Sequence, residues 1–204
     1  MRVRSPEALF DGDAAWSDAV AALGWDIVYA RHLAALGWAP AAYLEYPLQG
    51  LNPRAAAVLG AAGLVASPEV TLEELARITS PQTWARPVVE ALAFGREQVL
   101  VSRDTLGLAE GHGPPARLTL TDARGYEFPV EVAGDETRIF NARVTNLCGR
   151  LPDLVAAGVD GVLVVQADLR GDERIAFEQA GLEGLAAFGD RARFTTGHLY
   201  RGVA

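Results

Sequence analysis

The stretch Trp25–Glu69, "WDIVYARHLAALGWAPAAYLEYPLQGLNPRAAAVLGAAGLVASPE", decides the fold class. Short apolar runs alternate in it with Ala- and Leu-rich amphipathic segments, the rhythm of βα units laid around a parallel sheet. "WDIVYA" reads as a buried strand, "RHLAALG" as a short helix and "AAYLEYP" as the next strand. A second helix begins in "NPRAAAVLGAAG", with Asn52 as its N-cap and Pro53 in its first turn, where the missing N–H costs nothing. "LVASPE" then reads as a third strand.

The rhythm extends outward on both sides. "WSDAVAALG" precedes the stretch as a helix, and "TLEELARI" follows it with Thr71 and Glu74 at the spacing of a capping box. "VVEALAFGREQVLVSR" supplies one or two strands broken at Gly95. The middle of the chain departs from the pattern. "RLTLTD" and "YEFPVEV" alternate in polarity around the turn signal "ARG", which predicts an antiparallel hairpin inserted at about residues 108–135. The βα pattern resumes with a strand in "TRIFNA", a helix in "LPDLVAAG", a strand in "VDGVLVVQADL" and a last helix in "ERIAFEQAGLEGLAAFG". The expectation is one α/β domain over residues 1–204, an incomplete TIM-barrel-like parallel βα array with an inserted hairpin. It counts five or six parallel strands, and a complete barrel takes about 250 residues.

Composition narrows the function classes. A formal charge of −8 argues against a broad nucleic-acid surface, which draws its affinity from basic groups on phosphates. All 18 basic residues are arginine, so Schiff-base and P-loop chemistry, which need a lysine, are excluded. No run approaches the roughly 20 apolar residues of a membrane helix, and acidic residues come early in "MRVRSPEALFDGD". These features predict a cytoplasmic protein with no membrane association. The single cysteine, Cys148, makes no internal disulfide; lying at the start of a predicted helix it could hold a thiolate, but its apolar flanks favour a structural thiol. His32, His112 and His198 stand on separate segments without the spacing of a zinc site. No serine occupies a G-x-S-x-G elbow.

In parallel sheets ligands gather beyond the carboxyl ends of the strands, so the polar residues that close each apolar run carry the functional reading. They are Glu45, Ser67 and Glu69; Ser102, Arg103 and Asp104; Asn141; and Gln166, Asp168 and Arg170. Carboxylates, amides and arginines in this mixture suit the grip of a small polar or anionic ligand, or acid–base work. The same residue types also cap loops and form ion pairs in any βα fold.

Several segments, in order, resemble peptidase family U32, the collagenase-like peptidases. "YPLQGLNPRAAAVLGAAGLVASPEVTLEEL" is similar to the family's run from a strand through an Asn-initiated helix to a Ser-Pro-Glu turn. "FGREQVLVSRDTLG" resembles its Gly-containing strand, and "LTLTDARGYEFPVEV" its Asp-Arg-x-Gly-x-x-Phe-Pro hairpin except for the position of the arginine. "IFNARVTNL", "GVDGVLVVQADLR" and the closing "TGHLYRGV" follow in family order. The resemblance spans roughly residues 20–203 and corresponds to the later part of the family region. It adds Asp122, His198 and Arg201 to the ligand-binding candidates Glu69, Arg103, Asp104, Asn141, Asp168 and Arg170. It also implies that the tail docks, with the Tyr200 ring buried and Arg201 paired to a carboxylate.

Family members of this type carry cysteines in neighbourhoods that here read "SRDTLG", "GHGPPAR" and "GDETRIF". One thiol cannot hold an iron–sulfur cluster, which takes about four thiolates, so no cofactor is expected. The resemblance implies a U32-type peptidase or other hydrolase with a degenerate, cluster-free site and no assignable catalytic residues. The alternative is a non-catalytic module that binds a small polar ligand or peptide, or that pairs with itself or with a fuller family member.

Overall fold

A computed structural model describes all residues except 7, 49–51, 81–85, 108–115, 190–191 and 201–204. His112 and Arg201, the first part of the expected hairpin insertion and the end of the "TGHLYRGV" motif lie outside the described residues. From the N-terminus the elements are β1 (Arg2–Arg4), α1 (Ala14–Ala21), β2 (Ile27–Ala30), β3 (Ala41–Leu44), α2 (Pro53–Val58), β4 (Gly63–Val65), α3 (Leu72–Thr79) and β5 (Val88–Gly95). Then come β6 (Gln98–Ser102), β7 (Ala116–Thr121), β8 (Glu127–Ala133), β9 (Glu136–Phe140) and β10 (Val144–Asn146). The last are α4 (Leu151–Ala156), β11 (Gly161–Val164), α5 (Gly171–Ala186) and β12 (Phe194–Thr195). Two compact units result. The first holds Met1–Ala93, Arg150–Leu163 and the described part of Thr196–Ala204; the second holds Phe94–Gly149 and Val164–Thr195.

In the first unit β1 to β5 run parallel in sequence order, and β11 is bonded to β5. Val28, Leu44, Leu64 and Val89 are fully buried on neighbouring strands, which explains why these strands read as continuous apolar runs rather than alternating ones. Burying each such side chain contributes about 1.5–3 kcal/mol. The turn Leu33–Gly37 lays Ala35 against Val28, Ala30, Trp38 and Ala42. Tyr29 and Tyr43 meet edge to face at 5.5 Å. Gly63 makes room for the Tyr43 ring, because a Cβ there would lie 2.8 Å from the Val88 carbonyl and 2.9 Å from that ring.

The helix starts are local and match the expectation. The Asn52 side chain accepts from the Ala55 N–H at 2.9 Å with Pro53 in the first turn. Thr71 accepts from the Glu74 N–H at 3.2 Å while the Glu74 carboxylate accepts from the Thr71 N–H at 2.8 Å. Leu75 and Ile78 form the buried stripe of α3. Arg86 ties this helix to the turn after α4, donating to the Thr79 carbonyl at 2.8 Å and pairing with Asp160 at 2.9 Å.

In the second unit β7 and β8 form the expected hairpin, in register from Ala116 opposite Val132 to Thr121 opposite Glu127. Its turn is held by the Asp122 carboxylate, which accepts from the N–H groups of Arg124 and Tyr126 at 2.8 and 2.9 Å. Gly125 follows at φ 81°, a conformation that favours glycine.

The hairpin does not stand alone. It belongs to a four-stranded antiparallel sheet in the order β6-β9-β8-β7. The segment "TRIFNA", expected to resume the parallel array, is therefore β9 of that sheet. Gly134 and Asp135 form a two-residue loop from Ala133 to Glu136, with Gly134 at φ 60°, and this turns the chain straight back onto β8. β10 departs from the expected pattern as well: it runs antiparallel to Phe94 and Gly95 at the end of β5 and parallel to β12. Among the described residues β1 pairs only with β2, and β12 only with β10, so the strands do not close into a full barrel. Phe94 and Phe194 of the second unit meet at 5.8 Å and are buried, as are Leu147, Cys148 and Leu185 of the same unit.

Candidate functional site

The second unit gathers four arginines around one cavity of about 530 Å³. Arg96 begins the loop after β5. Its N–H donates to the Asp168 carboxylate at 2.6 Å, and its guanidinium donates to the carbonyls of Asn141 and, at 2.7 Å, Ala142. Arg193 precedes β12. It pairs with the buried Glu173 and donates to the Asp168 carbonyl at 2.9 Å. Main-chain carbonyls thus orient both groups from their own unit, and rotamer freedom is already spent before a ligand arrives.

Arg143 and Arg170 complete the set. Both are exposed, and neither has a carboxylate within 4.0 Å among the described residues. Arg143 lies over the Tyr126 ring at 5.5 Å, a cation–π contact. Arg170 stands at the N-cap of α5. Thr119, Gly125, Tyr126, Glu127 and Pro129 of the β7–β8 hairpin and Ala142 and Ala192 line the remaining wall.

Burial pushes the Arg96 guanidinium down from its ordinary value; the Asp168 carboxylate opposes this, and Arg193 and Arg170 push it further down. A guanidinium stays protonated at neutral pH regardless. The site therefore keeps like charges close together in a chain that is acidic overall, an arrangement an anion relieves. Guanidinium groups present planar forks of N–H donors matched to carboxylate and phosphate oxygens, and the cavity has the size of a small-molecule site.

The candidates named from sequence divide. Asn141, Asp168 and Arg170 come together here, the first two as the acceptors that hold Arg96 and the third in the cavity wall. Asp122 works as the turn anchor of the hairpin whose residues line the cavity. Arg103 pairs with Asp135. Asp104 is exposed, accepts from the Leu106 N–H at 2.9 Å, and lines a second, largely apolar cavity with Leu100, Leu118, Leu120 and Ile139. Glu69 and His198 belong to the first unit; Glu69 is exposed, its N–H donating to the Ser67 hydroxyl at 3.3 Å, and His198 is half-buried. The tail docks through Leu199, 5 % exposed, rather than through Tyr200. The expected burial of the Tyr200 ring is not observed: it is 49 % exposed, its hydroxyl bonded to Asp153 and Arg150 over its face at 5.6 Å.

No family model, curated protein or solved structure matches this chain.

Arg96, Arg143 and Arg193 escaped the sequence reading. Arg96 directly follows the break at Gly95 inside "VVEALAFGREQVLVSR", where β5 ends, but the functional reading falls on the residues that close the whole segment, Ser102, Arg103 and Asp104. Arg143 and Arg193 immediately precede β10 and β12, strands of three and two residues whose length gives no periodic signal. Cys148 is buried and its thiol is pushed up to about 11 by that burial, the opposite of an activated thiolate. Among the described residues no three His, Cys, Asp or Glu side chains gather as metal ligands.

Proposed function

We propose that this chain is a binding module that takes a small anionic ligand in the arginine cavity of its second unit, built on the later part of a TIM-barrel-like fold of the U32 peptidase type. The observation that carries the binding reading is the convergence of Arg96, Arg143, Arg170 and Arg193 on one cavity. Free peptides end in a carboxylate, so a peptide ligand of the kind the U32 resemblance implies would offer this cavity the anion it suits.

The U32 resemblance supports a second reading, a hydrolase of peptides with a degenerate, cluster-free site. The two readings share the ligand and differ in turnover. Citrate titrated at matched ionic strength is expected to raise the melting temperature, with choline chloride as the control. Incubation with gelatin followed by assay of new amino termini tests hydrolysis. No citrate-specific stabilisation removes the binding reading; no released amino termini removes the hydrolase.

A further inference from the structure

The second cavity of the same unit, about 540 Å³, has the size of a small-molecule site and no part in the anion-binding reading. One face of the antiparallel sheet makes its floor. Strand register sets Leu118, Val130, Ile139 and Leu100 in one row across β7, β8, β9 and β6, and Val132, Thr137 and Ser102 in the next row; residues two apart along a strand share a face. The turn after β6 makes a wall. The Asp104 N–H donates to the Ser102 hydroxyl at 3.0 Å and the Leu106 N–H to the Asp104 carboxylate at 2.9 Å, and all three residues line the cavity. Leu106 is held there at φ 53°, a left-handed conformation that bulky side chains rarely adopt and that no other non-glycine residue shows among the described residues.

Two features of this cavity are left uncompensated by the fold. Leu100, Leu106, Leu118 and Leu120 remain between 41 % and 56 % exposed around it, a cluster of apolar surface of the kind that marks a binding site. Thr137, 3 % exposed in the cavity wall, has a buried hydroxyl without a hydrogen-bond partner. A ligand group that reaches this hydroxyl displaces no water from it and breaks no existing bond, so the new hydrogen bond counts in full. The one charged lining group among the described residues is the Asp104 carboxylate, which disfavours an anion. We infer that this cavity binds a neutral, mainly hydrocarbon small molecule carrying one hydrogen-bonding group, with that group on the Thr137 hydroxyl and the hydrocarbon against the four leucines. A ligand on this face leaves the strand edges of β6 and β7 open.

Calorimetric titration of the full chain with naphthalene and 1-naphthol, one ring system without and with a hydroxyl, tests this. Both are expected to bind. Thr137→Val keeps the side chain's shape and removes its hydroxyl, so the ratio of naphthol to naphthalene affinity is expected to fall about ten-fold, the worth of one hydrogen bond to a buried group, with the melting temperature not lowered. Leu106→Gly relieves the backbone and removes part of the wall; it is expected to weaken both probes about ten-fold, again without lowering the melting temperature. 1-Naphthoate is expected not to displace bound naphthalene, and displacement as effective as that by 1-naphthol overturns the neutral class. An unchanged affinity ratio in Thr137→Val, or full affinity for both probes in Leu106→Gly, overturns the assignment to this cavity. Naphthalene affinity that falls as the chain concentration is raised overturns it too, because a second copy then covers the face in place of a ligand. No binding of either probe removes the inference and leaves the arginine cavity as it stands.

Discussion

Glu90 lies in the apolar run "VVEALAFG" of β5, where a strand buried on both faces has no place for a charge, and it is 9 % exposed. Its Oε2 has no hydrogen-bond partner. Burial raises its pKa most; the Tyr29 hydroxyl and Arg2 counteract this, and Glu45 and Asp160 add to it. Arg2 in turn donates to the Tyr29 hydroxyl at 3.2 Å. Between the unfolded pKa near 4.3 and the raised folded one, the folded chain holds a proton that the unfolded chain has lost. Stability from this group is therefore full below the unfolded value and declines as pH rises through the folded one. Glu90→Gln removes the titration, so its melting temperature is expected to exceed that of the wild type increasingly as pH is raised from about 4 to 7. Parallel melting curves for the two proteins across that range would show that Glu90 does not carry the effect. The residue was legible in the sequence as a carboxylate, and only its burial depth, decided by strands paired from elsewhere in the chain, makes it a titrating liability.

At the scale of the element, the start of α3 shows how a local signal and a distant one combine. Thr71 and Glu74 satisfy each other's N–H groups, and the Leu72 N–H, which the helix itself cannot satisfy, donates to the Leu199 carbonyl at 2.9 Å. The first pair is readable from four consecutive residues. The second joins residues far apart in the chain and has no sequence signature. Leu199 also buries its side chain, so Leu199→Ala is expected to cost about 2–5 kcal/mol, the range for truncating a buried leucine. Tyr200→Phe, at a half-exposed ring, is expected to stay within about 0.5 kcal/mol. Urea unfolding of the two variants checks this order; a larger loss for Tyr200→Phe would mean that the tail is held by its tyrosine instead.

Across the whole molecule, apolar side chains remain exposed on the outer strands of the antiparallel sheet: Val99 and Leu100 on β6, Leu118 and Leu120 on β7. Edge strands with an apolar face invite pairing with another chain, and we propose that this chain self-associates through them. Sedimentation at micromolar concentration is expected to show a species larger than the monomer, and Leu120→Lys to return it to the monomer; a compact monomer at those concentrations excludes the proposal. Among the described residues no helix is long and apolar enough to cross a membrane. The sequence by itself determined what depends on a few adjacent residues: the parallel strands β2 to β5 from their apolar runs, though not β1, whose "RVR" carries no such run, the caps at Asn52 and Thr71, and the β7–β8 hairpin with its turn at Asp122. Tertiary structure alone decided the placing of "TRIFNA" in the antiparallel sheet, the pairing of β10 with β5 and β12, and the cavity of Arg96, Arg143, Arg170 and Arg193. The reason is physical. Caps and turns are closed by hydrogen bonds between near neighbours, whereas a two- or three-residue strand gains its partners, and an arginine its electrostatic surroundings, only when segments remote in sequence are brought together.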